Sequence, residues 1–356
     1  MTEAVATAEK ATTEQAPTLS KRGARILRRK LGVANITVVG VGGSGCNTVV
    51  RLMEEKPVGI NFVCANTDIR ALQSLRGDGL IVIPIGEAIT KGFGAGGNPQ
   101  VGEQAAMAGR AALKQVLSGS DVVFITTGMG GGTGTGAAPV VAEIAKKVGA
   151  LTVALVTLPF AWEGHRRMES ALSGLSKLKA KVDNMILVHN DLISSLVSKN
   201  TPMQEAFKRV DDVVTEGILV VNEIVNTPGD INVDLADVRA ILALPGNALM
   251  SIGEGSGIDA AQEAAEKAVK NPLLDLSIAG AKGALFTVKG GPRLTVNQVN
   301  AAGRMIAKAV DPDAMIFFGM SIRPDMESRV RITIIATGIP DHEKARQATP
   351  PAPAAA

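Results

Sequence analysis

The residues with the clearest chemical capacity in this chain are glycines. The run Gly128-Met129-Gly130-Gly131-Gly132-Thr133-Gly134-Thr135-Gly136 holds six glycines and two threonines in nine residues. It offers a row of unobstructed backbone N–H donors and two hydroxyls. A helical stretch opens at Ala137, so donors and helix dipole both suit an anion. No lysine is present, which separates this loop from the G-x-x-x-x-G-K-[ST] loop of common nucleoside triphosphatases. Upstream, Gly40-Val41-Gly42-Gly43-Ser44-Gly45 satisfies the spacing G-x-G-x-x-G between a strand and a helix, and Asp68 follows at the end of the next strand. On that evidence alone an NAD-dependent oxidoreductase is a fair reading, as is a purely structural tight turn. A third loop, Gly92-Phe93-Gly94-Ala95-Gly96-Gly97-Asn98-Pro99, again precedes a helix. Three such loops at strand ends of one sheet imply a polyphosphate rather than the pyrophosphate of NAD alone, and no hydride-site acid is evident.

A second set is acidic. Asn232-Val233-Asp234-Leu235-Ala236-Asp237 stands where a helix begins. The bland reading is a cap, with Asp234 at the N-cap and Asp237 in the first turn. His165 and His189 have no acidic or thiol cluster at ligand spacing and read as incidental, so no protein metal site is expected. Two cysteines, Cys46 and Cys64, form neither a disulfide framework nor a four-thiolate site, which indicates a reducing compartment.

The elements that must position these residues alternate in type. Apolar runs suited to buried strands occur at Ile36–Val39, Asn61–Ala65, Leu80–Ile85, Asp121–Thr126, Leu151–Leu158 and Met185–Val188, with alanine-rich helical stretches between them at Gly102–Leu117 and Ala137–Val148. Strands that are apolar throughout, alternating with helices, predict an α/β fold: a parallel, Rossmann-like sheet covered on both faces. From Thr201 to about Asn226 the apolar positions Ala206, Val210, Val213, Val214, Ile218, Val221 and Val225 fall at helical spacing, predicting one long central helix. Beyond residue 240 a helix (Asp259–Lys270), a strand (Gly283–Val288), a helix (Val296–Ala309) and two strands (Ala314–Ile322, Arg329–Thr337) predict a smaller α+β domain with a mixed sheet. The expected organisation is a polar, disordered extension with a basic end (1–30), a nucleotide domain (31–203), the central helix (204–227), the second domain (228–338) and a Pro/Ala tail (339–356). A chain of 356 residues, 46% of them hydrophobic, is long enough for two cores. No apolar run is long enough to cross a membrane and no secretory signal is present, so a cytoplasmic protein is expected.

The strings GVGGSGCN, NTD, GFGAGGNP, GGGTGTG, PFAWEGHRRM, HND and NVDLADVR, in that order, resemble the tubulin/FtsZ family in its archaeal FtsZ form, from about Leu31 to Gly338. The resemblance implies a GTPase that polymerises head to tail, hydrolyses GTP to GDP and phosphate between subunits, and acts in cell division at the division site. It places Gly42, Gly43, Ser44 and Asn47 against the α-phosphate and nucleoside, and Asn66, Thr67 and Asp68 at the phosphates and metal. Gly96, Gly97 and Asn98 would close on the γ-phosphate, and Gly130, Gly131, Gly132, Thr133, Gly134, Thr135 and Gly136 would cradle the β- and γ-phosphates. A valine at Gly134 is therefore expected to take up phosphate space. Glu163 and Arg167 match the pair that engages ribose and phosphate, while Asn190, Phe207 and Asp212 match the base-reading set. A carboxylate accepts both N1–H and N2–H of guanine, a pair adenine does not offer, and a phenyl ring stacks on a purine; Phe207 also reads as plain core packing. Of the adjacent Asp211 and Asp212 only one can face the site, and the resemblance implies Asp212, five residues after Phe207. By the same likeness, Asn232, Asp234 and Asp237 of one subunit project onto the γ-phosphate of the next, where the two acids orient or deprotonate water and Mg²⁺ travels with the nucleotide without a protein cage.

The implied partners are further copies of the chain, division proteins and a membrane adaptor. Lys21, Arg22, Arg25, Arg28, Arg29 and Lys30 crowd one segment; without these six, 31 basic residues face 34 acidic ones. No nucleic-acid partner is indicated. Residues 21–30 read either as a contact for an anionic surface or as a solvated basic helix packed on the first domain. Because the sequence ends within 18 residues of Gly338, the linker and adaptor-binding peptide common in bacterial relatives are not expected.

Overall fold

The computed structural model describes residues 33–191, 200–226, 234–270 and 278–340. The basic segment 21–30, Asn232 and the Pro/Ala tail lie outside the described residues.

The β-branched run at Ile36 forms β1 (Ile36–Val41), which passes straight into α1 (Gly42–Glu54). There follow β2 (Ile60–Asn66), α2 (Ile69–Ser74), β3 (Ile81–Pro84), α3 (Glu87–Thr90), α4 (Pro99–Ala108), α5 (Arg110–Leu117), β4 (Val122–Gly128), α6 (Thr133–Lys147), β5 (Leu151–Leu158), α7 (His165–Lys179) and β6 (Asn184–His189). The long helix is α8 (Met203–Asn226), and then come α9 (Leu235–Leu242), β7 (Asn247–Ser256), α10 (Ala260–Lys270), β8 (Gly283–Gly290), α11 (Val296–Ala309), β9 (Met315–Ile322) and β10 (Arg329–Ile339).

The first strands pair in parallel in the order β3-β2-β1-β4-β5-β6. This is the doubly wound arrangement, whose order reverses between β1 and β4; ligands of such sheets bind outside the carboxyl ends of the strands at that reversal. A single pair, Ile186 with Ala248, carries the sheet across to β7. Beyond it β10 runs antiparallel to both β7 and β8, and β9 lies parallel to β8. The mixed second sheet thus continues the first.

Two local expectations are corrected. The helix expected over Gly102–Leu117 is two helices broken at Gly109, where a Cβ would lie 2.8 Å from the Ile85 side chain. Strand β7 was not anticipated; it carries Gly253 and Gly255. They are glycine because α10 lies on the strand: a Cβ on either would collide with backbone carbonyls of Ala264 or Ala260.

The core follows from the pattern. Strands β4 and β5 are buried along nearly their whole length, as parallel strands covered on both faces must be. Helix α8 brings Val214, Ile218 and Val221 into one cluster with Phe124 and Leu155 of the first sheet and Leu285 and Ile335 of the second. Between α8 and the second sheet there is also a buried ionic group. The Lys289 ammonium lies 2.9 Å from Glu216 and 3.0 Å from Glu223, both on α8, and Arg331 reaches Glu216 at 3.7 Å. Lys289 is only 8% exposed. Removing one partner from such a group leaves charge buried without compensation, at about 3–5 kcal/mol. Lys289→Ala is expected to lower unfolding stability by that order in urea titration; a loss below about 1 kcal/mol would show that the group is hydrated and unimportant.

Candidate functional site

Helix α1 starts at Gly42 directly on the end of β1, and α6 starts at Thr133 just beyond β4, the neighbouring strand. Among the described residues no side chain caps either helix, so first-turn N–H groups of both remain available to an anion. The two starts all but touch: a Cβ on Gly42 would lie 3.0 Å from the backbone nitrogen of Gly134. Close approach continues beneath them. A Cβ on Gly45 would strike the Thr126 carbonyl, and one on Gly40 the Gly45 carbonyl.

The glycines therefore divide by role. Gly43, Gly96, Gly97 and Gly131 face open space, and Gly96 and Gly97 have φ of +57° and +75°, in the left-handed region glycine favours. Gly132, Gly134 and Gly136 instead face protein: Asn98, the Gly128 carbonyl with Thr127 Oγ1, and the Pro99 carbonyl respectively. The expected reason for glycine at 134 is thus corrected. A side chain there would collide with β4 rather than with phosphate. Gly130 (φ +94°) lies against Arg167.

Side chains lock the loops together. The hydroxyls of Thr67 and Thr133 are 2.6 Å apart, joining the second loop to α6. The Asn66 side chain accepts from Thr67 N at 2.8 Å, and Asp68 caps α2 by accepting from Ala71 N at 3.0 Å. Asn98 caps α4 by accepting from Gln100 N at 2.9 Å, and Thr135 Oγ1 accepts from Gly130 N at 2.9 Å. Ser44 and Asn47 stand exposed on the first turns of α1. Among the described residues no cluster of three or more His, Cys, Asp or Glu could hold a metal ion. One carboxylate, Asp68, with the Thr67 and Thr133 hydroxyls fits a hard cation held mostly by phosphate oxygens and water.

Beyond β5 and β6 the carboxyl-end surface continues. Glu163 Oε1 accepts from Phe160 N at 2.9 Å, and its other oxygen pairs with Arg167 at 2.8 Å. Asn190 is buried with its Oδ1 unpartnered, an acceptor that a ligand donor would satisfy. Phe207 is 40% exposed and meets Phe160 edge-on, so it is not plain core.

Helix geometry separates Asp212 from Phe207. Residues four apart share a helix face and residues five apart do not. On α8, Asp211 is therefore the acid on the Phe207 face, and it turns inward to α1: the Thr48 hydroxyl donates to its Oδ1 at 2.6 Å and Arg51 pairs with its Oδ2. Burial, opposed by the Thr48 hydroxyl and Arg51, holds the Asp211 carboxyl above the usual carboxylate range. Asp212 is exposed, 3.9 Å from Arg209. The i, i+4 spacing of Phe207 and Asp211 was the available signal; nothing in the sequence pointed to Thr48 or Arg51.

The acidic pair lies elsewhere. Asp234 caps α9, accepting from Asp237 N at 2.8 Å, as the bland reading expected. Helix α9 is fixed at the amino ends of the parallel strands: Arg239 donates to the Asp121 carbonyl, just before β4, and the Leu242 carbonyl accepts from Asn184, which begins β6.

A family model described as "Tubulin/FtsZ family, GTPase domain" matches residues 35–198, and "FtsZ family, C-terminal domain" matches residues 246–340. The fold superposes on a point mutant of FtsZ from M. jannaschii with a TM-score of 0.81 and 43% identity, covering 86% of this chain and 92% of that one. An empty FtsZ dimer from the same organism gives 0.81 and 42%, covering 88% and 90%. CetZ2 from Haloferax volcanii, solved as a GTPγS-bound protofilament, gives 0.72 at 22% identity, covering 88% and 98%, a likeness of fold.

The division among glycines is testable. Gly43→Ala is expected to leave the unfolding temperature within about 2 °C of the parent and to weaken nucleotide binding at least tenfold, about 1.4 kcal/mol. Gly134→Ala, which overpacks against β4, is expected to destabilise by about 1–3 kcal/mol. Calorimetric unfolding and GDP titration of both variants check this; equal stability for the two would contradict it.

Proposed function

The chain belongs to the tubulin/FtsZ family and is a GTPase; from that premise we propose that it assembles head to tail and hydrolyses GTP between subunits. One observation carries the proposal. The phosphate-facing loops sit at the carboxyl ends of the parallel strands, whereas Asp234 and Asp237 sit at their amino ends. Helix α8 runs between these ends, with Asp211 tied to α1 near its start and Asn226 bonded to Ala34 N and O, ahead of β1, at its finish. Its 24 residues span about 36 Å. The acids therefore cannot reach the nucleotide of their own chain, but they face outward where a second copy stacked end to end would present one. In that junction Asp234 and Asp237 orient or deprotonate the attacking water, with Asn232 two positions earlier in the sequence. Asp68 and the Thr67 and Thr133 hydroxyls would meet an Mg²⁺ that travels with the nucleotide, which would offset phosphate charge. The dimer and protofilament forms of the similar proteins support such assembly.

The base reader in this proposal is Asp211 rather than Asp212. Each of its oxygens spends one lone pair on Thr48 or Arg51 and keeps another, enough to accept N1–H and N2–H of guanine. Phe207 stacks on the purine, Asn190 offers its unpartnered Oδ1, and Glu163 with Arg167 meets ribose and phosphate. The cellular role proposed is that of a cytokinetic ring component at the division site, joined by division proteins or a membrane adaptor, with the basic segment 21–30 available to an anionic surface. No described helix is long and apolar enough to cross a membrane.

GTP is expected to bind at least tenfold more tightly than ATP, about 1.4 kcal/mol. Asp211→Asn is expected to erase that preference and Asp212→Asn to keep it; the reverse pattern would restore Asp212. Asp234→Ala is expected to bind GTP normally while phosphate release falls at least a hundredfold, and in the parent the release rate per subunit should climb with protein concentration. A rate independent of concentration would contradict hydrolysis between subunits.

A further inference from the structure

The chain contains eight Phe, one Trp and no Tyr in 356 residues, yet three of these nine rings meet in one place. Phe160 stacks on Trp162 (centroids 5.4 Å apart, planes 19°) and meets Phe207 edge-to-face (5.5 Å, 79°). Phe160 is buried between two exposed rings, Trp162 at 68% exposure and Phe207 at 40%. Its backbone is held as well. Phe160 N donates to Glu163 Oε1, and Glu163 Oε2 pairs with Arg167. Phe207, 40% exposed in the first turns of α8, has Phe160 as its one aromatic neighbour among the described residues.

We propose that Phe160 is a positioning residue for nucleotide binding: its ring sets the angle of Phe207, and its backbone joins that ring to the Glu163–Arg167 pair, so that the nucleoside site closes as one unit. The inference rests on the reading of Phe207 as the purine-stacking ring. An edge-to-face pair fixes both distance and angle in a way an aliphatic contact does not, because the positive ring edge meets the negative face. Phe160 touches no part of the nucleotide in this account and acts through its neighbours. Trp162, the single tryptophan, extends the stack outward and reports on it.

The test is a double-substitution cycle read by GDP titration, with GTP hydrolysis measured at saturation. Phe160→Leu is expected to raise the GDP dissociation constant about tenfold while the saturated rate per subunit stays within twofold of the parent. The variant carrying both Phe160→Leu and Phe207→Leu should bind no more weakly than Phe207→Leu alone, since the two rings then act as one. Phe160→Met, which keeps the volume, should behave as Phe160→Leu does and guards against a folding defect. In the unaltered protein, Trp162 emission should change on adding GDP and not on adding inorganic phosphate. Additive losses in the cycle, normal binding by Phe160→Leu and Phe160→Met, or emission insensitive to GDP would overturn the inference. Normal binding by Phe207→Leu would instead overturn the stacking reading beneath it.

Discussion

Two helices begin side by side at the ends of neighbouring parallel strands, and the molecule is arranged around that juxtaposition. Each helix start is a partial positive charge with unpaired N–H groups, so placing two together is unfavourable until an anion lies between them. The backbone tolerates the approach because Gly40, Gly42, Gly45 and Gly134 carry no Cβ where one would collide. The strand order makes the position available, since the reversal between β1 and β4 leaves a crevice that no crossover fills. Backbone geometry thus suits this crevice to an anion, and the side chains around it, Thr67 on Thr133 and Asn66 on its own loop, hold the frame still.

In the proposed reading, base recognition by Asp211 and Phe207 depends on the same frame at one remove. Helix α8 is held to α1 by Asp211 through Thr48 and Arg51, two turns from the phosphate-facing start of α1. The distance from phosphate to base is therefore set by contacts between two helices rather than by a loop. Along its length α8 is also clamped to the second sheet by Glu216 and Glu223 on Lys289. One rod consequently carries the proposed base-reading residues in its first half and passes through the junction of both sheets. It ends near the helix that bears Asp234 and Asp237. The polarity of the molecule, with phosphate loops at one end and acids at the other, follows from the parallel sheet and this single connecting helix.

Much of this was legible in the sequence because it rests on local pattern. Apolar strands ending in glycine loops disclosed the parallel sheet, and the 3–4 spacing of Val210, Val214, Ile218 and Val221 disclosed α8. The ordered strings of the glycine loops disclosed the family. What stayed hidden depends on contacts between distant segments. Strand β7 carries glycines for the sake of α10, which no local rule could show. Gly134 looked like a phosphate glycine and is a packing glycine. Asp211 and Asp212 are indistinguishable by type, and only the turn of the helix against α1 separates them. The ionic group at Lys289 joins it to Glu216, 73 positions away, and no spacing rule connects them.

If the acids of one copy act on the nucleotide of another, two variants that are each inactive should restore hydrolysis when mixed. One is Asp234→Ala, which keeps the nucleotide site and lacks the acid. The other is Gly43→Glu, which keeps the acids and sets a carboxylate where phosphate must lie. Phosphate release is measured for each alone and for equimolar mixtures at the same total protein. The mixture is expected to hydrolyse GTP well above the sum of the two alone, because the acids of one complete the site of the other. A mixture no faster than that sum would mean that a site is completed within its own chain and would contradict the account.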